Sequence, residues 1–328
     1  MTVRAVLGRA NSTVAFAAIL ILAIVFGGVA TSALNARPQL QTAATIFASI
    51  FVQAMPFLVL GVLVSGLIAA FVSPLILQKL LPQNNFRAVG VAGLAGVALP
   101  GCECAAVPIA RRLIEQGAAP PAALAFLLAA PAVNPIVLVA TAVAFPDEPG
   151  MVAARFAGSL ATALVVGWLW PRIGKGVPID TRMLDAAEAD GPRWQVFASV
   201  ARHDFLDAAA FLVVGAAAAT ALRFVVPESV FEHLASQMLL AILVMAVLAV
   251  VLALCSEADA FVAASMSALP LLPRLVFLVV GPAIDVKLIA MQAGTFGREF
   301  VLRFAPTVFV VAVCCGTLAG YLFLGGAR

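Results

Sequence analysis

The chain has 328 residues, of which 64% are hydrophobic and 11% charged, with a mean hydropathy of +1.12 and a formal net charge of +3. A soluble domain carries about 25% charged residues, so this chain lacks the charge to cover a water-facing surface, and so small a net charge gives no support to nucleic-acid binding. Continuous Ala/Leu/Val/Phe runs exclude the short alternating segments of a β-barrel, and the composition specifies an all-α, multi-pass integral membrane protein.

Crossing a hydrocarbon core about 30 Å thick takes about 20 helical residues. Runs of that kind lie at 13–34, 44–75, 119–145, 151–171, 203–226, 270–295 and 300–325. The first follows Arg4 and Arg9 and imitates a signal peptide, but its apolar run reaches Leu34, so it is read as an uncleaved helix. Two further apolar stretches, 88–116 and 237–268, are interrupted near their middles. One breaks at Pro100-Gly101-Cys102-Glu103-Cys104, the other at Cys255-Ser256-Glu257-Ala258-Asp259. Each reads either as a broken span or as a re-entrant hairpin.

Basic loops stay on the cytoplasmic side of a membrane. The polar loop 172–202 carries Arg172, Lys175, Arg182, Arg193 and Arg202 and is placed inside, while the stretches with Asp147 and Glu148, and with Glu228 and Glu232, are placed outside. Lys79, Arg87, Arg111 and Arg112 flank the first interrupted stretch on both sides. A hairpin keeps all four inside, whereas a single crossing expels part of the set, so the hairpin is preferred. Arg37 and Arg274 fall outside in this arrangement and count against it.

The halves repeat. Phe126-Leu127-Leu128-Ala129-Ala130-Pro131-Ala132-Val133-Asn134 aligns without gaps to Phe277-Leu278-Val279-Val280-Gly281-Pro282-Ala283-Ile284-Asp285, and the same offset of 151 superposes Cys104 on Cys255. The organisation expected is an N-terminal transmembrane helix and loop (1–42), a first repeat (43–171), a cytoplasmic loop (172–202) and a second repeat (203–328). With hairpins, the second unit enters from the side opposite the first, which makes an inverted-topology pair. Such pairs place discontinuous helices and a binding site near mid-membrane.

Ionisable groups inside a bilayer are costly and need a reason. Glu103, Glu257, Asp259, Asp285 and Lys287 cannot reach an interface in this arrangement; singly, each also reads as a cap or an internal pair. Cys102 and Cys104 point the same way if the break is extended, and with Cys255 they form a candidate thiol set for Cu(I), Zn(II) or another thiophilic species. Ser256 lies in the second break, and Asn134 matches Asp285 as polar lining. Arg111 and Glu115 have i,i+4 spacing and read as a solvated pair. Trp168, Trp170 and Trp194 read as an interfacial belt, and Cys314-Cys315 as core packing.

The segments Leu99–Cys104 with Val107-Pro108, Ala125–Pro135, and Leu254–Ala264 resemble the predicted permease family that includes ArsP, the organoarsenical efflux permease, over roughly 45–325. That resemblance implies a polytopic permease of the cell inner membrane, with Cys102, Cys104 and Cys255 as thiol ligands of an exported solute. Glu103 and Glu257 add negative charge, which suits a metal cation or a coupled proton better than a neutral arsenical. The function expected is movement of a small thiophilic solute by alternating access. There is no GxxxxGK[ST] loop for nucleotide and no HExxH, so ion-gradient coupling is expected, with no cofactor and no catalytic residues. A membrane thiol oxidoreductase or a non-transporting assembly subunit is the alternative, and a homo-oligomer stays open.

Overall fold

The computed structural model describes residues 38–71, 84–98, 103–174, 193–223, 237–267 and 269–325. The expected span at 13–34, Cys102, Lys79, most of the loop 172–202, and the segment with Glu228 and Glu232 lie outside them. The chain divides into two units, Met1–Ser49 and Ile50–Arg328. Every candidate site residue lies in the second.

Twelve α-helices and no strands are found among the described residues: α1 (Pro38–Phe71), α2 (Asn85–Ala95), α3 (Glu103–Glu115), α4 (Pro120–Val133), α5 (Pro135–Ala144), α6 (Pro149–Ile173), α7 (Arg193–Arg223), α8 (Met238–Leu252), α9 (Ser256–Ser265), α10 (Leu271–Ala283), α11 (Val286–Phe296) and α12 (Arg298–Phe323). Pro120, Pro135 and Pro149 each stand in a first turn, where the missing N–H costs nothing. Among the described residues four segments are long and apolar enough to cross a membrane, namely Pro120–Ala144, Pro149–Ile173, Leu271–Phe296 and Arg298–Phe323. They coincide with four of the runs expected from hydropathy. Helix α7 begins at Arg193, inside the stretch read as loop, where Trp194 stacks on Phe197 at 4.8 Å.

α4 and α10 form the centre: Pro121 to Val133 and Leu275 to Ala283 are buried without a gap. Helices apolar on every side belong in a core or in lipid. Around them, Leu239, Leu302, Val310, Leu318 and Leu322 stand exposed, an exterior that fits hydrocarbon. Trp170, expected in an interfacial belt, is instead buried edge-on against Phe300 and Phe304. Cys314, expected in the core, is exposed.

The directions of the helices follow from close contacts. Gly150 lies by the Phe323 carbonyl, Gly158 by Gly316 and Ala319, and Trp170 by Phe300 and Phe304. Helices α6 and α12, which occupy equivalent places in the two halves, therefore pack antiparallel. Gly316 and Gly320 form a small-xxx-small edge of the kind that lets membrane helices approach; a Cβ on Gly320 would stand 2.1 Å from Leu272 Cδ1. Since α10 starts beside the end of α12, and α4 starts beside Gly167 of α6, α4–α5 and α10–α11 cross in opposite directions. α2 starts where Phe86 stacks on Trp168 at 4.4 Å and ends where Gly96 meets Ala129 and Ala130. α3 ends one short turn before Pro120, so it returns to the end of the bundle where α2 began.

Candidate functional site

The polar interior is built on helix breaks. In the second half α8 stops at Ala253, a left-handed alanine with φ 47° and ψ 46°, and Cys255 is extended before α9 starts at Ser256. In the first half α2 passes through a 3-10 turn, Gly96–Ala98, and helix resumes at Glu103. Two further breaks fall at the matched Asn134 and Asp285. Both are extended caps: Asn134 Oδ1 accepts from Val137 N at 3.0 Å, and Asp285 Oδ1 accepts from Leu288 N. Such caps satisfy amide groups that a broken helix leaves free. Asn134 Nδ2 also donates to the Ala130 carbonyl at 3.1 Å.

Three of these half-helix starts meet. Ser256 Oγ donates to Glu103 Oε1 at 2.7 Å, Lys287 Nζ donates to Glu103 Oε2 at 3.2 Å, and Lys287 Nζ stands 3.4 Å from Asp285 Oδ2. Glu103, Ser256, Asp285 and Lys287 are all buried. Glu103 belongs to the first half and the other three to the second, so the cluster ties the halves together. Cys104 and Cys255 are free, buried and within electrostatic range of the Lys287 ammonium. Asp259 is buried, with Oδ2 unpaired. It presses on α10 where residue 281 is glycine; a Cβ there would stand 2.6 Å from Asp259 Oδ2. Glu257 is half-buried, with Oε2 enclosed and unpaired. Asn134 bonds to Ala130 and Val137 of its own span, and Cys102 is outside the described residues. Among the described residues no group of three His, Cys, Asp or Glu is arranged to hold a metal ion.

Arg155 was not anticipated. It is completely buried on α6, with Nη1 donating to Thr141 Oγ1 at 2.7 Å and Nη2 to the Ser256 carbonyl at 2.8 Å. Standing six residues into its span, it reads in sequence as a chain free to snorkel to the interface. The Ser256 carbonyl lies 101 residues away in sequence, in a break the sequence does mark, but nothing in the sequence pairs that break with Arg155.

A second polar cluster lies at the Trp170 end. Arg111 Nε donates to Glu115 Oε1 at 2.9 Å, as the spacing suggested, but the pair is not a solvated face. Glu115 also meets Arg112, whose other nitrogen stands 3.3 Å from Asp204 Oδ2 on α7, and Ser65 Oγ donates to that oxygen at 2.7 Å. The side chains of Arg112, Glu115 and Asp204 are almost fully enclosed.

An apolar exterior, membrane-length helices and an interior of paired ions at helix breaks define a polytopic membrane protein with a polar core of the permease kind. The model of the ArsP_1 family, described as predicted permeases, matches residues 39–321, and the chain belongs to that family. It is 37% identical over 284 residues to the UPF0718 protein YcgR of Bacillus subtilis, covering 84% of this chain and 95% of the relative. It is 32% identical over 289 residues to a proposed subunit of a two-component membrane permease complex from Streptococcus mutans, covering 84% and 94%. No solved structure matches.

Proposed function

We propose that this permease moves a small thiophilic solute, an organoarsenical, a metalloid or a soft metal ion, out of the cell by alternating access between two inverted repeats, driven by an ion gradient. The observation that carries the reading is the Lys287–Glu103–Ser256 link between the halves, with Cys104 and Cys255 close by. Soft thiols choose such solutes over hard cations, and Cys102 is the third proposed ligand. The inverted arrangement is supported by the opposite directions of α4–α5 and α10–α11, and a re-entrant first hairpin by α2 and α3 sharing one end. Rocking one half against the other requires breaking and remaking contacts at their shared site, and the Glu103 carboxylate lies on that seam. Glu257, Asp259 and Asp285 are the candidates to carry a coupling proton.

The test is export from inverted inner-membrane vesicles, comparing methylarsenite, zinc and copper(I) for the unaltered chain and for Cys102→Ser, Cys104→Ser and Cys255→Ser. Export of at least one probe is expected, falling about tenfold or more in each variant, the loss typical even of residues that only support a ligand. Equal export by all four proteins removes the thiol site.

A second reading is favoured by the name of the Streptococcus mutans relative, a complex subunit: the chain transports only with a second membrane protein. Export restored by co-expression of one stoichiometric partner, and absent without it, supports this reading.

A further inference from the structure

Gln292 lies on α11, five residues beyond Lys287. It is 1% exposed, yet neither Oε1 nor Nε2 has a hydrogen-bond partner. A buried amide with every polar atom unmet is costly, and native folds seldom keep one without a reason. The other residues that α11 buries beyond Lys287 (Leu288, Met291 and Phe296) are apolar, so a larger polar network does not account for it.

Its position gives the reason. A helix rises about 1.5 Å per residue, which puts Gln292 about 7 Å from Lys287 along the axis, towards the Trp170 end. α11 packs on α7, α3 and α12, and α3 and α7 also touch each other. α3 carries Cys104 near its start and Arg112 two turns later; α7 carries Asp204, which pairs with Arg112. α3, α7 and α11 thus link the central cluster to the buried ion cluster, and along the axis of α11 Gln292 is an unmet polar group beyond Lys287.

We infer that Gln292 contacts the solute: it is the second polar station on a water-bearing route that leaves the Glu103–Lys287 cluster between α3, α7 and α11 and is closed at the Trp170 end by the Arg112–Asp204 pair. An amide offers a donor and an acceptor side by side, which fits water or a small hydroxyl-bearing solute better than a bare ion. The inference rests on the permease reading, but its test does not depend on the cargo.

Radiolytic hydroxyl labelling of the unsubstituted protein is read at Met291, next to Gln292, against Met245 on α8; both methionines are buried. Met291 is expected to oxidise and Met245 to stay protected; equal protection overturns the inference. Independently, Gln292→Cys is introduced with all five native cysteines changed to Ser, and its reaction with a charged methanethiosulfonate is timed against Leu318→Cys, which faces outward. Reaction well above that of Leu318→Cys, and faster again when Asp204→Asn is added, is expected. No reaction in either Asp204 background overturns it. If the substituted chain does not fold, the Met291 result decides. A chain that exports but is dry at Met291 loses only this inference; one that is wet there but exports nothing loses only the permease reading.

Discussion

Lys287 and Glu103 are the residues whose reason for being present is easiest to state. Each sits in an apolar run too far from either end to reach water, and an ion held there must find its partner inside. The same logic singled out Asp285 and Asp259 from the sequence, and all four prove to be buried. Asp285 has two tasks, which can be separated. Asp285→Asn keeps the acceptor that caps α11, as Asn134 caps α5, but loses the charge facing Lys287; Asp285→Ala loses both. Loss of the cap costs about 1 kcal/mol, so Asp285→Ala is expected to be less stable than Asp285→Asn by about that amount in denaturant titration of the purified protein. Gly281 answers Asp259 in a similar way. Gly281→Ala puts a methyl against Asp259 Oδ2 and is expected to cost about 1–3 kcal/mol, as overpacking does, while adding Asp259→Ala gives most of that back. Additive losses would show that the two residues do not press on each other. Arg155 and Gln292 escaped the sequence reading for different reasons. Arg155 stands near a span end, and Gln292 carries no charge to stand out against its apolar neighbours.

At the scale of the elements, the breaks were legible to different degrees. Pro100-Gly101 announces an interruption, and Asn134-Pro135 announces a cap followed by a first-turn proline. The break before Cys255 has no proline or glycine, and only its run of acids betrayed it. What ends α8 is Ala253 in the left-handed region, a conformation that costs an L-residue about 1–2 kcal/mol. Nothing in the local sequence forecasts that; α8 and α9, on either side of the turn, both pack on α10. Ala253→Gly removes the penalty at this one angle and is expected to leave stability unchanged or raised by up to about 1 kcal/mol. A loss of more than that in the same titration would mean the alanine side chain does something beyond tolerating the turn. The early start of α7 at Arg193 was hidden for the opposite reason: Arg193, Gln195 and Arg202 made a helical stretch look like a loop.

For the whole molecule, composition alone settled the membrane class, and hydropathy located the four spans to within a few residues. What the pattern could not supply was which helix lies against which, because that depends on shape. The antiparallel seam of α6 and α12 closes through Gly158, which meets Gly316 and Ala319, and α12 closes on α10 through Gly316 and Gly320; glycines carry no hydropathic signature of their partners. Gly320→Leu cannot fit beside Leu272 without moving α10, so it is expected to lower the unfolding temperature and to reduce transport together. The offset of 151 between the halves was visible in sequence, but the meeting of their breaks in one buried cluster was only an expectation. That meeting is most directly tested by a double-mutant cycle between Glu103→Gln and Lys287→Met, read as unfolding free energy. Removing one partner of a buried pair costs about 3–5 kcal/mol, and contacting residues couple by about 0.5–3 kcal/mol. Each single change is therefore expected to be strongly destabilising and the double change clearly less so than their sum; strictly additive losses would mean that the two halves do not share a site.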